Sequence, residues 1–577
     1  MKVLLAYSDM PVMPIYGCMD TTLGMGSLRA YAALSREIAS NVEWVNRVFP
    51  YDATAGDVAR GVLREAPDLV AFGCYIWNRA KVREACRLIK RRSPRVRIVV
   101  GGPEVPREEA AVRAFFDEWD AVDVAVWGEG EQTFAELLKA LLAGRGAAGI
   151  PGLACRKGRS VDVSAQRQLP RDLSSLPSPF LNGAVELADD VTGGHVFIET
   201  SRGCPFQCAF CNYHAGRRNL AYFPLKRLKE ELWLLKSKGF QGEIYITDPN
   251  VNIDLRRLKE MFTILRDECQ DWEGVGIMLE LMVDRLDDAC IRVLGGIPWS
   301  IAALGVQSTN ARTLRNLNRR TDLDKAHSNI AKMLRYPNIE IWIELILGLP
   351  GDDYETFKRS LDWCFSHKRL PRVRVFDFQV LPNMPLAAQS GKFGIVKGES
   401  CTRGKGLAMK APGVLPDIRQ RMHDVVLRTD SFSPEDLVKA SRLAAVCHMV
   451  QGAQDVCRAL RDAGNAGGVF GANMGLDRFF GRAFKEFRSG GRRATAYELP
   501  KLFWETFESL VLSGPRPSEV LESMAQAMVE EKLLPDRRFF TGEMWMLWRD
   551  KAPEDVLDAM VRFKRRFKPG KLAGSPR

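Results

Sequence analysis

The sequence predicts an α/β protein of three parts: a doubly wound N-terminal domain, an open partial barrel, and a mainly helical C-terminal domain. Three observations lead there. Short apolar runs alternate with amphipathic stretches through residues 1–145. A second series of the same kind begins at His195, just before a loop that holds three cysteines. After about residue 390 the strand-like runs stop and helical periodicity takes over.

In the first part the strand-like runs are KVLLAYS, VEWVNRVF, LVAFGCYI, RIVVGG and VDVAVWG, with LRAYAALSREIA and VREACRLIKRR among the helical segments between them. That alternation indicates βαβ units and a Rossmann-like parallel sheet. Turn residues follow the strands, Gly101-Gly102-Pro103 after the fourth and Gly128-Glu129-Gly130 after the fifth. In such sheets a ligand lies beyond the carboxyl ends of the strands, where these turns cluster. Residues 146–194 are rich in Gly, Pro, Ser and Asp, which predicts a linker with a small hairpin.

Residues 195–390 carry six strand-like runs: HVFIETS, GEIYITD, GVGIMLEL, SIAALGV, IEIWIELILG and VRVFDFQVL. Six units are too few for a closed eight-stranded barrel, so a partial (β/α)6 barrel of TIM type is expected, with its chemistry at the carboxyl ends of the strands. In residues 391–577, segments such as SPEDLVKASRLAAVCHMVQGAQDVCRALRDAG combine N-cap residues with helical periodicity.

Composition narrows the function classes. A chain of 577 residues exceeds one core, and 46% hydrophobic with 27% charged residues is ordinary for a globular protein. No apolar run reaches the length of a membrane span. The N-terminal MKVLLAYSDMPVMP reads as a first strand rather than a signal peptide, so a cytoplasmic location is expected. Thirteen unevenly spaced cysteines do not make a disulfide framework. Cys86, Cys290, Cys364, Cys447 and Cys457 fall in helical patterns and are expected to be plain buried thiols. The net charge of +12 is concentrated late, in GRAFKEFRSGGRR and VRFKRRFKPGK. Without a recognisable nucleic-acid module these stretches read as a solvated basic face, and no nucleic-acid partner is expected.

The segment TSRGCPFQCAFCNYHAG sets Cys204, Cys208 and Cys211 in Cys-x3-Cys-x2-Cys spacing after a strand. Three thiolates on one loop repel unless a metal compensates them. With His214 as a fourth ligand, a structural zinc is one solution. A four-iron cluster held by three thiolates, its fourth iron open, is the other. The loop opens a βα series and no second Cys/His knuckle lies nearby, which favours the cluster.

CPFQCAFC after the first barrel strand, YITDPN after the second, LGVQS after the fourth, ELILGLPGDDYETF after the fifth and LPNMP after the sixth resemble the radical S-adenosylmethionine (SAM) enzymes. GCYIWN, GGPE and WGEGEQTF resemble turns of the cobalamin-binding domain in the cobalamin-dependent branch of that family. The resemblance implies a [4Fe-4S] cluster on Cys204, Cys208 and Cys211, with SAM chelating its open iron. Phe210 matches the aromatic position beside the adenine, and Asp248 the contact to the amino or ribose side, although no Gly-Gly-Glu run stands there. Gln307 and Ser308 end the fourth strand, and Arg319 offers a planar fork for a carboxylate. Glu280 and Glu344 lie in otherwise apolar strands, where a carboxylate is costly unless it points into a polar site. Both are candidates for cofactor or substrate contact.

On the cobalamin side the resemblance places Tyr75, Ile76 and Trp77 against the lower face of the corrin. Leu23, Gly24, Gly26 and Ser27 would face its nucleotide tail, small residues permitting close approach. Gly101, Gly102, Glu104, Gly128 and Glu129 would complete the site. The first histidine of the chain is His195, so no imidazole from the N-terminal domain can coordinate cobalt.

The activity implied is a cobalamin-dependent radical SAM methyltransferase acting on an unactivated carbon of a small natural-product or lipid-like substrate, with a flavodoxin or ferredoxin as electron donor. A rearrangement or cyclisation without methyl transfer would use the same cofactors. An RNA methylthiotransferase would need a second cluster, for which Cys18, Cys74 and Cys86 are the only N-terminal candidates, and Cys86 sits in a helical pattern. A zinc-stabilised, non-catalytic binding protein is the remaining class.

Overall fold

The computed structural model describes residues 1–8, 22–50, 53–213, 217–367, 370–381, 383–398, 425–461 and 516–530. Strand β1 (Lys2–Ser8) is buried along nearly its whole length, as a strand covered on both faces must be. It pairs in parallel with β2 (Glu43–Phe49) on one side and β3 (Leu69–Gly73) on the other. Next come β4 (Arg97–Gly101) and β5 (Val124–Val126), also parallel. Helices α1 (Leu23–Ala32) and α2 (Arg36–Asn41) connect β1 to β2, while α3 (Ala55–Arg64), α4 (Arg79–Arg92), α5 (Glu109–Glu118) and α6 (Glu131–Leu142) follow β2, β3, β4 and β5. The order β2-β1-β3-β4-β5 puts the switch point of the doubly wound sheet between β1 and β3.

Alternation along each strand feeds two cores. Leu4 and Ala6 of β1 join Val70, Phe72 and Ile98 on one face, while Val3 and Leu5 join Ala71 and Val99 on the other. Local chemistry starts the helices: the Thr22 hydroxyl accepts from Met25 N–H, and Thr54 with Asp57 forms a capping box at α3.

The hairpin expected within residues 146–194 forms as β6 (Leu153–Lys157) and β7 (Ser160–Val163), and it pairs antiparallel onto β5. The first sheet therefore has seven strands and runs past residue 145. A three-residue β5 would otherwise leave an open edge, and the hairpin covers it.

The barrel begins with β8 (Thr192–Ile198), followed by the cysteine loop, which is bracketed by the short antiparallel pair β9 (Ser201–Arg202) and β10 (Ala221–Tyr222). Then follow α7 (Leu225–Ser237), β11 (Gln241–Ile246), α8 (Leu255–Cys269), β12 (Gly276–Leu281), α9 (Asp288–Leu294) and β13 (Ser300–Gln307). Helices α10 (Ala311–Asn316) and α11 (Leu323–Met333), β14 (Ile339–Leu347), α12 (Tyr354–Cys364) and β15 (Arg372–Asp377) complete it. The six strands pair in parallel in chain order, β8-β11-β12-β13-β14-β15, an open partial barrel. Ile277, Leu279, Ile341 and Ile343 point outward under the helices. Met278, Ile301, Ala303 and Trp342 point inward.

Beyond residue 390 the structure departs from expectation in one respect. Strands do not stop: Val396–Gly398 pairs antiparallel with Val425–Arg428. Among the described residues, the helices Pro434–Arg461 and Pro517–Glu530 pack onto the barrel. Leu437, Ala444, Cys447, Leu521 and Met524 share one apolar cluster with Phe357 and Leu361 of α12, and Glu522 accepts from Lys358 Nζ at 2.7 Å. Cys86, Cys290, Cys364 and Cys447 are buried thiols on helices, as expected. The basic stretches at 481–493 and 561–571, and Cys18, lie outside the described residues. Among the described residues no helix is long and apolar enough to cross a membrane.

Gly102 shows how tightly the carboxyl-end turns interlock. Its φ is +108°, and a Cβ there would lie 2.6 Å from the Cys74 carbonyl oxygen. Gly102→Ala is expected to destabilise the first domain by on the order of 2 kcal/mol, read as a lower thermal midpoint. Gly101→Ala, whose Cβ would meet only ordinary contacts at 3.6 Å, should have a much smaller effect. Equal losses would show that the turns do not interlock.

Candidate functional site

The cysteine loop is pinned through its backbone. Gly203 turns with φ +93°, and a Cβ on it would strike the Asn219 carbonyl at 2.5 Å. Cys204 N–H donates to the Arg217 carbonyl at 3.2 Å and Ala209 N–H to the Leu317 carbonyl at 2.8 Å. Asn318 Nδ2 donates to the Gln207 carbonyl at 3.0 Å. Cys208 is buried, while Cys204 and Cys211 are partly so.

Burial raises the Cys204 thiol above its ordinary range and pushes Cys211 up to about 11. Their thiolates form only when a cation supplies the missing charge, which is what an iron cluster does. Among the described residues no three His, Cys, Asp or Glu side chains converge tightly enough to hold a single metal ion. Three thiolates on one loop can serve three corners of a four-iron cluster and leave its fourth iron open. His214, the candidate fourth zinc ligand, lies outside the described residues. Arg319 Nη1 stands 3.8 Å from Cys208 Sγ, and its Nη2 donates to the Gly305 carbonyl.

The three cysteines open onto a cavity of about 770 Å³ at the carboxyl ends of the barrel strands, also lined by Phe210, Asp248, Glu280, Gln307, Arg319 and Glu344. Tyr245 Oη donates to Glu280 at 2.8 Å. Burial, and then the facing Glu344 carboxylate, pushes Glu280 up to about 8. Burial raises Glu344 as well, with Arg374 at 3.7 Å as its counter-ion. Phe210 lines this cavity and also packs against the Ala209–Leu317 cluster. Gln307 ends β13 with φ +72°, unusual for a side-chain-bearing residue.

Two residues expected to contact SAM are committed elsewhere. Asp248 accepts four hydrogen bonds, from the N–H and hydroxyl groups of both Thr200 and Ser201, at 2.6–3.0 Å. It ties the end of β11 to the start of the cysteine loop and has little capacity left for a ligand. Ser308 lies outside the cavity lining, and its hydroxyl donates to Asp352 at 3.0 Å.

A second cavity, of about 340 Å³, lies at the carboxyl ends of the first sheet, where Gly24, Tyr75, Gly101, Gly102, Gly128 and Glu129 line it. Tyr7, Thr22, Gly24, Tyr75, Arg202 and Tyr213 belong to the walls of both cavities, so the two spaces adjoin. Tyr75 stacks on Trp77 at 4.7 Å and meets the edge of Tyr7 at 5.7 Å. Leu23, Ser27 and Trp77 face the cluster-side cavity.

Ile76, Gly26 and Glu104 line neither cavity. Gly26 is small for another reason: a Cβ there would lie 2.4 Å from Val185 and 3.0 Å from Pro179. Glu104 turns beneath the site to pair with Arg79 at 3.6 Å. Glu129 reaches the cavity wall, but its oxygens are held by Arg217 at 2.6 and 3.1 Å and by Arg202 at 3.1 Å.

Sequence reasoning missed Arg107, Arg202, Arg217, Glu199 and Tyr213, all at this junction. Arg202 donates to Glu131 at 2.6 Å and to Glu199 at 2.9 Å. Only the position of Arg202, two residues before Cys204, hinted at a role. Its partners Glu129 and Glu131 lie some seventy residues earlier in the chain.

The Radical SAM superfamily profile matches residues 198–364, and the B12 binding domain profile matches residues 33–138. The chain combines a B12-binding domain with a radical SAM domain. It is 29% identical over 427 residues to the 2-(S-pantetheinyl)-carbapenam-3-carboxylate methyltransferase of Streptantibioticus cattleyicolor, covering 72% of this chain and 60% of that one. It is 28% identical over 429 residues to the cobalamin-dependent radical SAM methyltransferase TokK of Streptomyces tokunonensis, covering 71% and 60%. The match thus spans less than two thirds of either relative. The fold is shared with the solved radical SAM methyltransferase TsrM from Kitasatospora setae (TM-score 0.56, 16% identity, 76% of this chain and 89% of that one).

Residues of both domains line each of the two cavities. Cys74 and Cys86 of the B12-binding domain are buried, with Cys86 on α4, which does not suit them to a second cluster.

Replacing any one of Cys204, Cys208 or Cys211 by Ala is expected to abolish the brown visible absorption and bound iron of anaerobically reconstituted protein, while far-ultraviolet circular dichroism stays unchanged. Full iron retention in any of the three would remove that cysteine from the cluster. A second expectation concerns pH. Glu280 keeps its proton in the folded chain up to about pH 8 but releases it near 4.3 when unfolded. The unfolded state therefore binds fewer protons across that window, and stability falls as pH rises through it. Glu344→Gln removes the facing charge and should make the fall shallower in thermal midpoints of cofactor-free protein between about pH 4 and 8. An unchanged slope would show that the two carboxyl groups do not interact.

Proposed function

We propose that this protein is a cobalamin-dependent radical SAM methyltransferase that methylates an unactivated carbon of a small natural-product-type substrate. The observation that carries the reading is the adjoining pair of cavities, one opened by the cysteine loop and one by the turns of the B12-binding domain. When bound, the cluster with SAM supplies a hydrogen-abstracting radical, and cobalamin supplies a transferable methyl group. A substrate placed where the cavities meet would be within reach of both.

The chain's own residues prepare this space. Cys204, Cys208 and Cys211 offer three thiolates and leave one iron without a protein ligand. Arg319, beside Cys208, has the planar fork suited to a carboxylate of SAM. Glu280, hydrogen-bonded by Tyr245, presents a carboxyl group to the same cavity. Tyr75 and Trp77 form an aromatic wall between the cavities. It excludes water and offers no nitrogen ligand to cobalt, and the chain has no histidine before His195. The names of two relatives as methyltransferases support the reaction class. The electron donor in this reading is a flavodoxin or ferredoxin, and the protein acts in the cytoplasm.

The test is anaerobic turnover with methyl-labelled SAM, cobalamin and extract of the source organism. Deoxyadenosine and a product heavier by one labelled methylene unit are expected. Deoxyadenosine with an unlabelled, rearranged product would replace methyl transfer by rearrangement. No deoxyadenosine at all would end the radical reading.

A further inference from the structure

The junction between the domains contains a continuous chain of contacts that the proposed chemistry does not itself require. The backbone carbonyl of Arg217 accepts from Cys204 N–H, the first cluster ligand. The side chain of the same residue grips Glu129 of the B12-binding domain with two hydrogen bonds, Nε to Oε1 at 2.6 Å and Nη2 to Oε2 at 3.1 Å. Its remaining nitrogen, Nη1, donates to the Pro170 carbonyl at 2.8 Å. Each guanidinium nitrogen therefore has an acceptor, and the side chain is only 8% exposed.

Each end of this chain sits on a cofactor wall. Glu129 belongs to the Gly128–Gly130 turn that lines the smaller cavity. Gly203, next to Cys204, packs so closely on Arg217 that a Cβ would lie 2.8 Å from its Cγ. Ordering of the cysteine loop thus places the guanidinium, and the guanidinium places the turn. Asn383, after β15, makes a second link to the same domain: its amide donates to the Pro103 and Val105 carbonyls and accepts from Arg107 N–H.

We infer that Arg217 is a positioning residue that couples the two cofactor sites, so that loading the cluster tightens cobalamin binding in the neighbouring domain. This rests on the proposed function, because it takes both groups to be resident. The physical basis is shared ordering. A cluster that fixes the cysteine loop also fixes the Arg217–Glu129 fork, so cobalamin then meets a turn whose ordering is already complete. Linkage requires the reverse effect to be equal: cobalamin tightens the loop's hold on the cluster by the same factor.

The test uses full-length protein and hydroxocobalamin, with affinity read from equilibrium absorbance titrations before and after anaerobic cluster reconstitution. In the wild type the loaded protein should bind at least about fivefold more tightly. In Arg217→Gln that ratio should approach one. Glu129→Gln, which keeps side-chain size, should do the same, and the double variant should add nothing further. Arg217→Lys keeps the charge but not the fork, and an intermediate ratio is expected.

Equal affinities in the two wild-type forms would overturn the inference. So would an Arg217→Gln protein that weakens both forms in proportion and leaves the ratio intact, because that is what a merely structural residue does. A wild-type protein that takes up neither iron nor hydroxocobalamin would overturn the proposed function itself, a result distinguishable from loss of the ratio alone.

Discussion

The carboxyl-terminal edges of the two sheets face each other, and partly buried ion pairs hold them in that relation. Arg202 and Arg217 leave the barrel's cysteine loop and meet Glu129 and Glu131 of the B12-binding domain. Taking such charges out of water is expensive, and the expense is offset only where geometry is good and every donor is matched. Arg217 approaches that condition, since each of its three nitrogens has an acceptor. Removing one partner of such a pair leaves an uncompensated charge in a largely desolvated site.

The barrel interior follows from the same economy of charge. β12 and β14 send alternate residues outward into a large apolar core and inward to the cavity. The inward set includes Glu280 and Glu344, which no apolar layer would tolerate. Tyr245 and Arg374 keep that pair solvated from within. The outward set is closed by α12 and by the described helices Pro434–Arg461 and Pro517–Glu530, whose apolar side chains join the barrel's core.

Some residues that look like ligands in one dimension serve as braces in three. Asp248 stands at the end of a barrel strand, where ligands gather, yet Thr200 and Ser201 saturate it. Ser308 is spent on Asp352, and Glu104 on Arg79. Gly26 admits the Pro179–Val185 stretch, not a cofactor tail. In each case a motif position marks the right neighbourhood, while the assignment of the side chain depends on a partner distant in the chain.

What the sequence by itself determined is whatever depends on local spacing. The period of apolar residues specified two βα series, because strands and helices bury different repeats. The Cys-x3-Cys-x2-Cys loop specified a metal chemistry, because three adjacent thiolates need a cation. The absence of histidine before His195 excluded an imidazole ligand from the first domain. Tertiary structure decided what depends on meeting across distance: that the hairpin after residue 150 extends the first sheet, that the C-terminal helices join the barrel core, and that Glu129 belongs to Arg202 and Arg217. Hydrogen bonds and ion pairs between residues seventy or more positions apart leave no periodic trace in a sequence. Only the folded chain brings those partners within 3 Å of one another.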